Sequence, residues 1–180
     1  MTGPKLSIGA AAPDFLLTGV DGNEYTMASF AYKKILIIVF SCNHCPYVQA
    51  YESRIIKLQK LFSERGVQFV AINSNDDKNY PEDSFERMAM RSKIKRYNFP
   101  YLRDATQEAA KSYGATHTPE VFVFDHTRKL SYYGKIDDNW KHPDKVVINY
   151  LKNAIEDLLQ GKIVRVSETF AVGCTIKWKQ

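Results

Sequence analysis

Cysteine is scarce in this sequence, whose 180 residues contain three: Cys42, Cys45 and Cys174. A small secreted domain held together by several disulfides needs more, so that class is excluded. A structural zinc site usually takes four cysteine or histidine ligands, and the chain has a single Cys-x-x-Cys pair. The cysteines therefore indicate a redox pair, a zinc half-site or inert thiols, and the expected location is a reducing cytoplasm.

Long apolar runs, internal repeats and low-complexity segments are also absent. We therefore predict no signal peptide, no membrane-spanning segment and no membrane partner. The charge is only mildly basic, at +5, and no recognition motif accompanies the basic residues, so no nucleic-acid partner is expected. The length suits one domain with a full core, over residues 1–180.

The feature that stands out is the position of the Cys-x-x-Cys motif. The apolar run 35–40 before it predicts a buried strand, and apolar residues at spacings of three and four after it predict a helix over about 46–65. The free N–H groups of a helix start favour thiolate over thiol, and the thiolate is the nucleophile of disulfide exchange. Cys42 and Cys45 are therefore predicted to form a redox-active dithiol.

The same geometry predicts separate roles for the two thiols. We expect Cys42 to lie at the helix mouth, face solvent and attack, and Cys45 to lie about one turn into the helix, covered, as the resolving thiol. His44 lies between them, and a protonated imidazole would stabilise the thiolate further. The alternative for His44 is an exposed turn residue, and both interpretations stay open at this stage.

The remaining pattern predicts an α/β fold. Asp21-Gly22 indicates a hairpin, and a core strand at 67–73 follows a crossover helix, which makes it parallel to the first strand. Further strands are predicted at 121–124 and 130–134, and further helices from Pro81 or Glu82, over 105–113, and from near Pro143 to Gly161. Residues 1–34 form an N-terminal hairpin extension, and residues 162–180 form a C-terminal tail.

This order of elements resembles the thioredoxin fold in its extended, peroxiredoxin-like form. Stretches over nearly the whole chain are similar to bacterial redoxins of the alkyl hydroperoxide reductase–thiol-specific antioxidant type that carry a CxxC motif: 12–15, 42–48, 71–76, 80–83, 136–139 and 172–178. The resemblance implies a thioredoxin-like fold with an N-terminal hairpin extension and a central mixed sheet flanked by helices.

The resemblance also implies roles for individual residues. Cys42 and Cys45 would be the dithiol, Pro119 a cis-proline facing them, and Thr118 the residue that offers backbone groups to a bound extended polypeptide. Thioredoxin has an acid in the strand before its motif, whereas the strand at 35–40 has none. Glu120 is the nearest substitute, and the alternative for it is an exposed acid at a strand end.

Three functions are weighed on this basis. The leading one is a thiol:disulfide oxidoreductase without a cofactor or metal, which acts on a protein or small-molecule disulfide and is restored by an external thiol reductant. The second is an antioxidant thiol peroxidase, in which a Cys42 sulfenic acid condenses with Cys45; the peroxiredoxin signature P-x-x-x-T-x-x-C fits neither cysteine. The third is a Cu(I) or Zn chaperone, for which His117 would have to join the cysteines because His44 cannot fold back onto them.

Cys174 is left over, in the tail. A spare cysteine is often a small buried hydrophobe. The alternative is a third redox thiol that the tail delivers to the dithiol, with Gly173 allowing a close approach and Trp178 anchoring the tail.

Overall fold

The computed structural model describes residues 3–180. Seven strands form one mixed sheet in the order β2-β1-β5-β4-β3-β7-β8, and a separate two-stranded sheet pairs β6 with β9. The strands are β1 (Leu17–Gly19), β2 (Glu24–Tyr25), β3 (Ile35–Ser41), β4 (Val67–Asn73), β5 (Tyr101–Arg103), β6 (His117–Thr118), β7 (Glu120–Phe124), β8 (Leu130–Gly134) and β9 (Cys174–Thr175). The α-helices are α1 (Pro46–Phe62), α2 (Phe85–Lys95), α3 (Glu108–Tyr113) and α4 (Tyr150–Leu159).

Strand β3 is the centre of the sheet. It pairs in parallel with β4 on one side and antiparallel with β7 on the other, and all of its residues are buried. Successive side chains of a strand point to opposite faces, so Ile35, Ile37 and Val39 pack towards α1 and α4. Leu36, Ile38 and Phe40 pack on the other face, towards α3. Burial on both faces explains why this strand is a continuous apolar run.

The α/β thioredoxin-like architecture predicted from the sequence is confirmed: the sheet is mixed, helices flank it, and the Asp21-Gly22 hairpin lies at its edge. Strands β4 and β8 have the predicted bounds. Among residues 3–180, no helix combines the length and the apolar character that crossing a bilayer requires.

Three predicted helix starts are wrong, each for a local reason. Residues 81–83 form a 3₁₀ turn, and α2 begins only after Ser84, whose hydroxyl accepts a hydrogen bond from the Arg87 N–H. Helix α3 begins at Glu108, not at residue 105. Helix α4 begins at Tyr150, because the Val147 N–H donates to the Asp138 carboxylate and the Ile148 carbonyl oxygen accepts from the Asp138 N–H, which holds these residues outside the helix.

One buried charge pair braces α1 against the loop after β8. The Arg54 guanidinium donates to the Asp137 carboxylate at 2.7 Å and to the backbone oxygens of Asn139 and Trp140. The Asp137 side chain is 2% exposed and also accepts from the Tyr51 hydroxyl at 2.8 Å. Removing the arginine would leave the carboxylate charge buried without its cation, which is a large penalty.

We therefore expect Arg54→Leu to lower the free energy of unfolding by about 3–5 kcal/mol. Arg65→Leu is the matched control, because Arg65 makes a bidentate pair with Glu156 at 3.0 Å near the surface, and a surface pair contributes about 0–1 kcal/mol. Urea unfolding of the two variants measures both values. Equal losses in the two variants would contradict the bracing role of Arg54.

Candidate active site

The two cysteines of the motif lie between the end of β3 and the start of α1. Cys45 is the N-cap residue of α1, and Pro46 occupies the first helical position, where its fixed φ suits the helix. Both cysteines are fully buried. The predicted arrangement, with Cys42 facing solvent and Cys45 one turn inside the helix, is therefore wrong. The helix begins one residue after the motif, and both thiols are covered.

The Thr118-Pro119 peptide bond is cis, as predicted, and its loop packs on the dithiol. The Thr118 hydroxyl lies 3.4 Å from the Cys42 sulfur. When protonated, the Cys45 thiol donates to the Thr118 carbonyl oxygen at 3.3 Å. Thr118 thus contacts both sulfurs, one through its side chain and the other through its backbone.

The other side of Thr118 is covered by the C-terminal tail. Strand β9 pairs antiparallel with β6, and Cys174 lies directly opposite Thr118. Gly173 approaches so closely that a Cβ atom there would lie 2.1 Å from the Thr118 carbonyl oxygen. Cys174 is half-buried and packs against the cluster formed by Cys42, Cys45 and Val48. We call residues 170–175 the strap.

The strap is held at both ends. Before it, the backbone N–H of Thr169 donates to the Tyr133 carbonyl oxygen at 3.0 Å, and the Thr169 hydroxyl accepts from the Lys135 N–H at 2.9 Å. After it, the Ile176 N–H donates to the Thr116 carbonyl oxygen at 2.9 Å. Between these anchors, the Phe170 side chain is 94% exposed. The strap is therefore a short span between two fixed points, not a loose terminus.

Cys45 is the centre of a group of three thiols. Hydrogen bonds from Cys42, from Cys174 and from the backbone N–H of Val48 lower the pKa of Cys45. The hydrogen bond to Cys45, burial and the negative charge of Asp83 raise the pKa of Cys42. Burial and the hydrogen bond to Cys45 likewise raise the pKa of Cys174. Because the two buried thiols interact strongly, the negative charge belongs to the pair, and the assignment of Cys42 as the attacking thiol stays a prediction.

Asp83 is a residue of the site that the sequence did not point to. Its carboxylate is fully buried and accepts hydrogen bonds from the Asn43 N–H at 2.6 Å and the Asn75 amide at 2.8 Å. The His44 Nδ1 lies 2.7 Å from the same carboxylate, and the His44 ring stacks on Tyr80. His44 is thus fixed by partners on both sides and is not a free turn residue. Asp83 follows Pro81 closely, and this position is typical of an exposed acid in the first turn of a helix. The sequence pattern therefore gives no sign that Asp83 is buried.

Glu120, the candidate acid, is engaged by groups of the loop before the cis-proline. It is buried, so the alternative of an exposed acid is also wrong. Its carboxylate pairs with Lys5 and accepts from the backbone N–H groups of Thr116 and His117 at 2.8 and 3.3 Å. Glu120 therefore holds the loop that carries the cis-proline, and Asp83 places a carboxylate oxygen within 4.8 Å of the Cys42 sulfur.

A sulfur, a nitrogen and an oxygen donor lie close together in this site. Ligand atoms of Cys42, His44 and Asp83 are within 4.8 Å of one another. His117, which the metal hypothesis required, is not in this group; its Nδ1 lies 2.8 Å from the Thr116 hydroxyl. The Asp83 carboxylate already has four hydrogen-bond partners, which occupy its lone-pair positions. The arrangement fits a closed hydrogen-bond network better than a metal centre.

The fold and the site together define a protein of the thioredoxin-like class, with its dithiol between the central strand and the following helix. Within that class the chain belongs to the Redoxin family, which matches residues 7–151.

Two solved structures are similar over almost the whole chain. The hypothetical protein SMc02350 from Sinorhizobium meliloti 1021 is 37% identical, with a TM-score of 0.92 over 98% of this chain and 97% of that one. An uncharacterized conserved protein from Geobacillus kaustophilus is 40% identical, with a TM-score of 0.91 over 96% and 93%. Among curated proteins, the thiol-disulfide oxidoreductase ResA of Geobacillus thermodenitrificans (strain NG80-2) is 24% identical over 127 residues, which cover 69% of this chain and 67% of that relative.

The acidity of the two thiols can be compared by alkylation with iodoacetamide at different pH values. Cys42 and Cys45 are equally buried, so any opening of the site exposes both, and the ratio of their rates reports the thiolate fraction. We expect Cys42 to be modified before Cys45 below about pH 7, because the Thr118 hydroxyl can donate to a Cys42 thiolate whereas the Cys45 sulfur faces the Thr118 carbonyl oxygen. Mass mapping identifies the modified residue, and earlier modification of Cys45 would reverse the assignment.

The covering role of the strap is testable at Gly173. We expect Gly173→Ala to speed alkylation of both buried thiols, because the added Cβ would meet the Thr118 carbonyl oxygen and push the strap away. Phe170→Ala is the control, since it changes an exposed side chain of the same strap. Alkylation rates at one fixed pH provide the measurement, and equal rates in both variants would show that the strap does not limit access.

Proposed function

We propose that this protein is a thiol:disulfide oxidoreductase that uses Cys42 and Cys45. The observation that carries the proposal is a pair of adjacent thiols, free of a disulfide in this structure, whose hydrogen bonds stabilise one member as a thiolate. The curated relatives named thiol-disulfide oxidoreductase support the same activity.

The reaction has two exchange steps. The Cys42 thiolate attacks one sulfur of a substrate disulfide, which forms a mixed disulfide and releases the other substrate sulfur as a thiolate. Cys45 then loses its proton and attacks the Cys42 sulfur. The Cys42–Cys45 disulfide forms, the second substrate sulfur leaves as a thiol, and two electrons have passed to the substrate. An external dithiol reverses both steps on the protein.

The neighbouring residues set the order of these steps. The charge of Asp83 raises the pKa of Cys42, and the Thr118 hydroxyl, 3.4 Å from its sulfur, lowers it by donating to the thiolate. Once the mixed disulfide has formed, the Cys42 thiolate is gone, and its repulsion no longer opposes ionisation of Cys45. Thr118 and Pro119 form the wall against which the dithiol packs, His44 is held by Asp83 beside it, and Glu120 fixes the loop that carries Pro119.

A substrate disulfide reaches the dithiol only after the strap moves, because neither cysteine is exposed in this structure. The substrate is a protein or small-molecule disulfide, the reductant is an external thiol, and the chain acts as one domain over residues 1–180 in the cytoplasm. The low cysteine count supports this location. An antioxidant peroxidase activity is the weaker hypothesis, because no arginine among residues 3–180 donates to either sulfur.

The activity is tested by the reduction of insulin disulfides with dithiothreitol as the electron source. We expect wild-type protein to accelerate the reaction, and the Cys42→Ser/Cys45→Ser double variant to fall to the rate of dithiothreitol alone. Cys45→Ser/Cys174→Ser retains only Cys42, so a substrate should stay attached to it as a mixed disulfide visible by non-reducing mass spectrometry. An active double variant lacking both motif cysteines would refute the proposal.

A further inference from the structure

A groove of about 630 Å³ lies beside the dithiol, between the start of α1 and one face of α2. On the side of the motif it is lined by Asn43 and His44, the two residues between the cysteines. The His44 side chain is 28% exposed, and one of its ring nitrogens lies within 4.8 Å of the Cys42 sulfur. Sites for small molecules are clefts of about 300–1,000 Å³, so the groove has the size of such a site and borders the reacting sulfur.

The opposite wall of the groove is one face of α2. Arg87, Met90, Ile94 and Lys95 line it, and their spacing of three to four residues places them on one side of the helix. Met90 and Ile94 are 51% and 69% exposed, whereas Met88, on the other side of the helix, is buried. The wall is therefore apolar in its middle and carries a cation towards each end.

The charge of the groove is positive and only partly compensated. Arg91 also lines it, but its Nε donates to the buried Glu52 carboxylate at 2.9 Å. Arg87 and Lys95 make no ion pair with any of residues 3–180. The acid that lines the groove is Glu82. Three cations thus face one acid, and two of the cations are left to bind an anionic ligand.

The strap leaves this side of the motif open. On the Thr118 side, Cys174 pairs with the backbone on which an extended substrate would lie. No residue of the strap lines the groove. The part of a substrate that lies beyond its disulfide therefore has room in the groove whether the strap is closed or open.

We propose that the groove is the binding site for the substrate, and that this substrate is a small disulfide that carries carboxylates. Arg87 and Lys95 bind the carboxylates, and Met90 and Ile94 contact the aliphatic part of the molecule. The disulfide itself reaches Cys42, next to His44, when the strap opens. This inference rests on the proposed oxidoreductase function and deepens it by naming the substrate class.

The exchange balances with the dithiol as the only reductant. The Cys42 thiolate binds one half of the small disulfide, and the other half leaves as a thiolate. Cys45 then displaces the bound half. The protein gains a Cys42–Cys45 disulfide, the substrate becomes two thiols, and the two protons of the dithiol are taken up by those products.

The test compares three small disulfides of different charge: glutathione disulfide is anionic, hydroxyethyl disulfide is neutral and cystamine is cationic. Reduced protein is mixed with each at about 20 mM salt, where exposed charges are weakly screened. Formation of the Cys42–Cys45 bond is followed by mass spectrometry after an acid quench. The groove variant is Arg87→Gln/Lys95→Gln. The matched control is Lys93→Gln/Arg96→Gln, which removes the same charge from the same end of α2 at residues that do not line the groove.

We expect the groove variant to react at least about fivefold more slowly with glutathione disulfide, because it lacks two charge contacts of about two- to fivefold each. Its rate with hydroxyethyl disulfide should equal that of the wild type, and so should all rates of the control. Two results would overturn the inference: equal slowing of the groove variant with all three disulfides, or equal slowing of the two variants with glutathione disulfide.

Insulin separates a small disulfide from a protein substrate. We expect the groove variant to reduce insulin at the wild-type rate. A fall with insulin as large as the fall with glutathione disulfide would assign the groove to acidic polypeptides and would overturn the proposal.

Binding can be measured without any exchange. S-methylglutathione keeps the carboxylates but has no disulfide, and Cys42→Ser/Cys45→Ser cannot react. Calorimetry should detect binding to this variant and at least about fivefold weaker binding once Arg87→Gln/Lys95→Gln is added; absence of binding counts against the inference.

Failure of the proposed function gives a different pattern. In that case wild-type protein neither forms the Cys42–Cys45 bond nor reduces insulin, even if S-methylglutathione binds. If wild-type protein does both and the groove variant matches it with every disulfide, the inference alone fails.

Discussion

The pairing of Cys174 with Thr118 is the contact on which the chemistry of this site depends. It closes the dithiol off from solvent, packs a third thiol against the cluster of Cys42 and Cys45 and occupies the backbone of the residue before the cis-proline. The sequence resemblance implied that Thr118 offers this backbone to an extended polypeptide. Here the chain's own tail takes the position, so the rate of exchange depends on how often the strap opens as well as on the acidity of the thiolate.

Charge within the site is distributed by hydrogen bonds and not by a nearby cation. Asp83 places a buried negative charge close to Cys42, and neutral donors from Asn43, Asn73 and Asn75 hold it there. The charge of Asp83 therefore opposes a thiolate on Cys42, whereas the Thr118 hydroxyl, 3.4 Å from the same sulfur, can donate to it. The balance of these two contacts sets the acidity of the dithiol.

The sequence predicts the central strands and the first helix of this fold well. The uninterrupted apolar run of β3, the parallel β4 and the helix after the motif follow from periodicity, and the cis-proline follows from the family resemblance. The sequence predicts the site less well. The positions of Asp83 and Cys174 depend on a 3₁₀ turn and on a two-residue strand, and both form through tertiary contacts that local patterns do not encode. The prediction that Cys42 faces solvent is wrong for the same reason. The strap that covers this residue comes from more than 120 residues further along the chain.

The path of the strap is specified by two glycines far apart in the sequence. At Gly134, φ is +135°, and a Cβ would lie 2.1 Å from the Thr169 hydroxyl oxygen that anchors the strap. At Gly173, a Cβ would lie 2.1 Å from the Thr118 carbonyl oxygen. A tail that merely covered the surface would tolerate a side chain at both positions, since the tail could move slightly away from the backbone beneath it at little cost in free energy. The close approach at each position, together with the hydrogen bonds of Thr169 and Ile176, fixes where Cys174 lies. The strap is therefore a defined part of the site, and the third thiol is placed by the fold.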